Sequence, residues 1–270
     1  MKQSTITCCA VAASAVAGWS ASAGWQEIDF DAYGHGRVLS GVDLGPATVF
    51  GDNFHNRDDL VVAFDTRQRN TRDRDLEGPN GFGGGWGHGN LKASNDIVGT
   101  ILILQEVDRN FAGYTDASKQ VVNRPDDEGR RRGGTRPGAG EITLDFDAPI
   151  NAFGFTLIDV EETGEFNNET GFFATFTGGG QTAKVSFADF IDPGSSFYDS
   201  SVVFGNNSAN RINPITADQL GLSSIDRVKL NLGGSGGVGE MKFTGVPSPS
   251  AVGVGLAMLG VFATRRRRKA

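Results

Sequence analysis

From residue 141 the chain reads EITLDFDAPINAFGFTLIDV, and its apolar side chains fall on alternate positions: Ile142, Leu144 and Phe146, then Phe153, Phe155 and Leu157. A repeat of two sends neighbouring side chains to opposite faces of an extended backbone, so this stretch specifies half-buried strand and excludes an amphipathic helix. Similar runs at residues 60–64, 101–106, 171–177, 184–187, 201–204, 227–232 and 240–244 predict further strands. Glycine-rich reversals separate several of them, at Thr177-Gly178-Gly179-Gly180, Asp192-Pro193-Gly194 and Gly233-Gly234-Ser235-Gly236-Gly237. Residues 216–222 predict one helical turn with Thr216 as its N-cap. Many short strands and no long amphipathic helix make the expected fold all-β, a β-sandwich or jelly roll.

The two ends read differently from the body. Lys2, an apolar alanine-rich stretch over residues 6–18 and the small-x-small site Ala21-Ser22-Ala23 predict a secretory signal peptide over residues 1–23, cut after Ala23 by signal peptidase. Both cysteines, Cys8 and Cys9, lie inside it, so the expected mature chain has no disulfide and depends on core burial, helped by a metal if one binds. Residues 24–245 are enough for a sizeable core.

At the other end, residues 251–264 are apolar but number only 14, against about 20 for a helix that crosses a bilayer. Arg265, Arg266, Arg267, Arg268 and Lys269 follow, a block that stays on the cytoplasmic side. The expected association with the inner membrane is therefore transient. Loss of both ends removes Lys2, the four arginines and Lys269 from the 25 basic residues, leaving 19 against 32 acidic ones and a net charge of −13. So acidic a domain is unsuited to nucleic acid or anionic lipid and suited to divalent cations.

Val246-Pro247-Ser248-Pro249, an apolar helix containing glycine and then four arginines resemble the PEP-CTERM sorting signal of bacteria that make exosortases. Ser248 stands where that family usually has glutamate. The resemblance implies a tail over residues 246–270 in which Pro247, Pro249 and the arginines are read by an exosortase-type enzyme. It further implies cleavage near Pro247 and delivery to the cell surface or an extracellular polysaccharide matrix. In the body, VVAFDTRQRNTRDRDLEGP, GTILILQEV, the stretch from NRPDDEG to LIDVEE, and IDRVKLNLGGSGGVGEMKF resemble in order a recurrent secreted β-sandwich ectodomain that often precedes such tails. This second resemblance spans about residues 28–244 and implies a fold without an activity. The chain departs from it in the insert of residues 130–136 and in Glu240, where the family more often has aspartate followed by asparagine.

Residues 67–90 and 108–140 fit neither helix nor strand and are rich in Gly, Arg, Asp and Asn, which makes them long loops and the first places to look for recognition. They hold two acidic clusters, Asp65, Asp73 and Asp75, and Asp126, Asp127 and Glu128. Calcium takes six to eight oxygen ligands, and acids two apart in such loops are suitable donors, although DRDLEGPNG is not an EF-hand. The same acids also read as solvated loop residues or partners of Arg67, Arg69, Arg72, Arg74 and Arg130. Trp86, in GFGGGWGHG, either stacks on a sugar ring or anchors the loop to the core; Tyr114 and Tyr198 are weaker aromatic candidates.

No enzymatic activity is expected. The three histidines form no close pair, no Gly-x-Ser-x-Gly elbow occurs, and the expected mature chain has no thiol. Asp159, Glu161 and Glu162 follow a core strand, but carboxylates there are more often surface residues than a glycosidase pair. The expected role is that of an exported structural or adhesive protein of the surface or matrix. The alternative is a carbohydrate-binding module stabilised by calcium, with extracellular polysaccharide as its partner.

Overall fold

The structure, a computed structural model, describes residues 24–245 apart from 56–57, 79–84, 93, 95, 107–112, 114, 117–119, 128–137 and 161–171. Its strands are β1 (Gln26–Ile28), β2 (Val42–Asp43), β3 (Ala47–Asn53), β4 (Val61–Asp65), β5 (Thr100–Leu104), β6 (Thr115–Asp116), β7 (Val121–Val122), β8 (Gly140–Ile158), β9 (Phe173–Gly178), β10 (Gln181–Ser186), β11 (Ala209–Thr216), β12 (Ile225–Leu232) and β13 (Gly237–Gly245). The one regular helical element among the described residues is a 3-10 turn, Phe187–Phe190, capped by the Ser186 hydroxyl. The fold is all-β and its strand ladders are antiparallel.

The alternating stretch forms β8, a single strand of 19 residues around which the sheet is organised. Its first half pairs with β3 and β12, from Gly140 opposite Asn53 and Leu232 to Phe146 opposite Ala47. Its second half pairs with β11 and β13, with Phe153 opposite Ile215 and Phe243. The change of partners falls at Asp147, Ala148 and Pro149, which are exposed and outside every ladder. Proline, with no N–H to give, suits a point where pairing lapses.

The alternating side chains of β8 meet those of β9, β12 and β13 in the main core. Phe155 packs on Phe187 at 6.3 Å between ring centroids, and Phe187 stacks on Phe172 at 5.7 Å and on Phe190 at 5.8 Å. Two glycines make the β9–β10 hairpin possible: Gly179 and Gly180 have φ of 56° and 76°, the left-handed values a two-residue reversal needs.

The segments 60–64 and 101–106 are strands, but they are buried on both faces. Val61, Ala63, Leu102 and Leu104 face the main core, while Val62, Phe64, Ile101 and Ile103 face a second one completed by Leu60, Leu76, Trp86, Leu91 and Val122. The described part of the loop after β4 therefore folds back through Leu76, Trp86 and Leu91 and roofs β4 and β5. The expected strand at 201–204 is instead a loop, because Ser201, Val202 and Val203 hydrogen-bond to Asp199 and Asn210 and join no ladder. Residues 217–220 make the predicted turn, with the Thr216 hydroxyl accepting the Gln219 N–H at 3.2 Å.

Candidate functional site

The roof over β4 and β5 is shaped by its polar residues. Leu76 drops into the second core, and the buried carboxylate of Glu77 accepts the Thr71 N–H at 2.7 Å. One oxygen of Asp73 accepts the N–H groups of Asp75 and Leu76 at 3.2 and 3.4 Å, turning the chain tightly around its carboxylate. The other oxygen lies 3.4 Å from the backbone N of Asp127, which belongs to the segment after β7.

That segment is held against the end of β5. Glu106 donates its N–H to the Asp126 carbonyl at 2.9 Å, and the Asp126 N–H reaches the Gln105 side chain at 3.2 Å. Arg72 donates Nε to the Asp126 carboxylate at 3.2 Å. The buried carboxylate of Asp127 turns inward and accepts the N–H of Gly236, in the connection between β12 and β13. Asp73, Asp75, Glu106, Asp126 and Asp127 thus line one open depression, with Arg72 and Arg74 at its edge.

Carboxylates crowded in this way resist ionisation. Burial, then the charges of Asp73 and Glu106, push Asp126 up to about 6 despite the opposing influence of Arg72. Burial and then Asp73 hold Asp127 well above the usual carboxylate range, and the same two causes raise Asp75. The depression has a chemistry suited to a hard cation, which would relieve this repulsion, although among the described residues no three His, Cys, Asp or Glu side chains already converge on one point as a metal cage.

Asp73, Asp75, Asp126 and Asp127 of the expected metal ligands are brought together. Asp65 is not: its carboxylate accepts Arg67 Nε at 2.7 Å and the Arg67 N–H at 3.0 Å, and Arg67 also clasps Asp31 with both guanidinium ends at 3.0 Å. Glu128 lies outside the described residues, as do Ala23, Pro247, Pro249, Arg265, Arg266, Arg267 and Arg268 of the expected processing signals. Glu106 and Gly236, which the sequence marks only as the end of a strand and part of a glycine-rich reversal, join the cluster.

Trp86 corrects the expectation of a sugar-stacking ring. It is 2% exposed, packs in the second core and donates Nε1–H to the Asp96 carbonyl at 2.9 Å, so neither ring face is open to a ligand. Asp159 is likewise buried, its carboxylate accepting the Asn207 N–H at 2.6 Å, while Glu161 and Glu162 lie outside the described residues.

No protein-family model, curated protein or solved structure matches the chain. Among the described residues no helix is long and apolar enough to cross a membrane.

Proposed function

We propose that this chain is an exported structural protein of the cell surface or extracellular matrix, without catalytic activity, whose β-sandwich ectodomain is clamped by calcium. The acidic depression carries the calcium part of this reading, because it ties three remote pieces of chain together through carboxylates: Asp73 from the roof loop, Asp126 and Asp127 from the segment after β7, and the Gly236 connection that Asp127 holds. Calcium at this point would order loops rather than perform a reaction, with Asp73, Asp75 and Asp126 as the carboxylates that would hold it. The sandwich reading is supported by β8, whose halves pair with separate sets of strands.

Export by a signal peptide cut at Ala23, transient membrane attachment and exosortase-type processing near Pro247 rest on the two terminal sequences. For the cation, thermal melting in millimolar calcium and in EDTA is the test. A ligand at about 100 times its Kd adds about 2.7 kcal/mol, roughly 5–10 °C for a domain of this size. Identical melting in both conditions would remove the clamp from the proposal.

A further inference from the structure

A second concave site, which shares no lining residue with the acidic depression, lies between the segment after the 3-10 turn and strand β11. It encloses about 150 Å³ and is lined by Tyr198, Ser196, Asp199, Asn213, Pro214 and Gln219 above an apolar floor. Tyr198 is 42% exposed, so an aromatic ring stands open at the cleft.

The site is built by the backbone. In β11 the register with β8 breaks between Ile212 and Ile215, and the bulge places Asn213 and Pro214 at the surface. Bulges re-aim side chains in this way, and proline is tolerated where the ladder is interrupted. The facing segment is fixed by its own turns: Asp199 donates its N–H to the Phe190 carbonyl at 2.9 Å, and its side chain accepts the Ser201 N–H at 2.8 Å. Asn210, fully buried in β11, accepts the Val203 N–H at 2.9 Å and returns an amide N–H to the Val203 carbonyl at 3.0 Å. Both walls are therefore pre-organised.

The polar groups of the cleft retain capacity. Asn213 gives Nδ2–H to Asp199 at 2.7 Å, which orients the amide and leaves its Oδ1 without a hydrogen-bond partner among the described residues. Gln219 uses Oε1 for the Thr216 N–H at 2.9 Å, and its Nε2 has no such partner. The Ser196 and Tyr198 hydroxyls also make no hydrogen bond to the described residues. A partly exposed aromatic ring beside oriented amides and hydroxyls matches a pyranose ring, which offers C–H groups on one face and hydroxyls around its edge. At about 150 Å³ the cleft is well below the roughly 300–1,000 Å³ of a drug-sized site and takes a single ring.

We propose that this cleft is a saccharide subsite that stacks one ring of a neutral polysaccharide on Tyr198, with Asn213 and Gln219 meeting its hydroxyls. The Asp199 carboxylate and the acidic domain disfavour uronic acids and sulfated sugars. The subsite shares no residue with the acidic depression and needs no cation.

The test is calorimetric titration of the purified chain, in EDTA, with soluble β-glucan, α-glucan, mannan and galactan, and with alginate as the anionic comparison. The expected result is binding to at least one neutral polymer, weakened tenfold or more by Tyr198→Ala, kept by Tyr198→Phe and unaffected by Trp25→Ala, which removes an exposed aromatic elsewhere. Circular dichroism checks that each variant folds, and Gln219→Ala, expected to weaken binding severalfold, replaces Tyr198→Ala if that variant does not. Binding to none of the neutral polymers, binding to alginate alone, or an unchanged affinity in the cleft variants would overturn the proposal. Because EDTA is present throughout, failure here leaves the calcium clamp standing, and loss of the clamp leaves this result interpretable.

Discussion

The buried carboxylate of Asp127 accepts the backbone N–H of Gly236, closing a contact across 109 positions of the chain. An acid drawn into the protein to satisfy one amide also carries a cost, since burial disfavours its charge and the carboxylate of Asp73 lies close to it. Asp127 thus sits between a hydrogen bond that needs its oxygen and neighbours that resist its ionisation.

Replacements at Asp127 separate these two effects. Asp127→Asn keeps an oxygen for Gly236 and removes the like charge, so stability without calcium is expected to stay within about 1 kcal/mol of the parent. Asp127→Ala leaves a buried N–H without its partner and is expected to cost about 1–3 kcal/mol. Urea denaturation in EDTA measures both, and equal losses in the two variants would show that the Gly236 bond contributes nothing.

The depression makes stability depend on pH in a stated direction. Asp126 is raised from 3.8 to about 6, and Asp127 and Asp75 are also raised. Protonation therefore favours the folded state: this contribution is fully present below the unfolded value near 4 and is lost as pH climbs through about 6. Asp31 and Asp65 are shifted the other way, chiefly by their hydrogen bonds to Thr100 and Arg67 set against burial, and their contribution is lost only as pH falls below about 4. Without calcium the carboxylates of the depression should raise the melting temperature between pH 7 and pH 5, outweighing the opposite effect of His35, whose imidazole burial holds below its usual value, and the melting temperature should fall again in stronger acid. Millimolar calcium should stabilise more at pH 7 than at pH 5, where protons compete for the same oxygens. Melting curves from pH 3 to 8, with and without EDTA, read both effects, and a melting temperature that falls steadily from pH 7 to 5 would contradict them.

Trp86 is predicted to matter for folding alone. Its burial in the second core places Trp86→Ala in the range of about 3–5 kcal/mol lost, while Trp86→Phe keeps most of the packing and gives up the hydrogen bond to Asp96. Folded Trp86→Phe should bind polysaccharide as the parent does. A selective loss of binding at unchanged stability would return this residue to the recognition surface.

What could be read from the sequence follows from how local each signal is. The alternation of Ile142, Leu144, Phe153 and Phe155 announces β8 because strand periodicity is carried by neighbouring residues. The runs LVVAF and ILILQ announce strands, but their lack of alternation also signals burial on both faces, and with it the second core under Leu76 and Trp86. β11 is obscured by Asn213 and Pro214, which occupy its bulge and resemble loop residues when read alone. The acidic depression was visible only as composition: nothing near Asp73 indicates that Asp126 and Asp127 will face it, and nothing near Gly236 indicates that its N–H belongs to Asp127. Asp65 shows the reverse, an acid close to the cluster in sequence whose oxygens go to Arg67.

Asn210 gives the remaining prediction, because one buried amide ties the Tyr198-bearing segment to the sheet. Its Oδ1 accepts N–H groups from Val203 at 2.9 Å and Asn90 at 3.3 Å, and its Nδ2 donates to the Val203 carbonyl at 3.0 Å. Asn210→Ala strands these backbone groups in a place closed to water, with an expected loss of about 2–4 kcal/mol. Asn210→Asp retains the acceptor, loses the donor and buries a charge, and is expected to be no better tolerated at pH 7 than alanine. The decisive reading is local: amide exchange over residues 195–204 should accelerate in Asn210→Ala more than exchange in β12 and β9, because the segment loses its tie while the main core keeps its packing. Uniform acceleration across all these elements would mean that Asn210 supports the whole domain and that the walls of the cleft are held by other contacts.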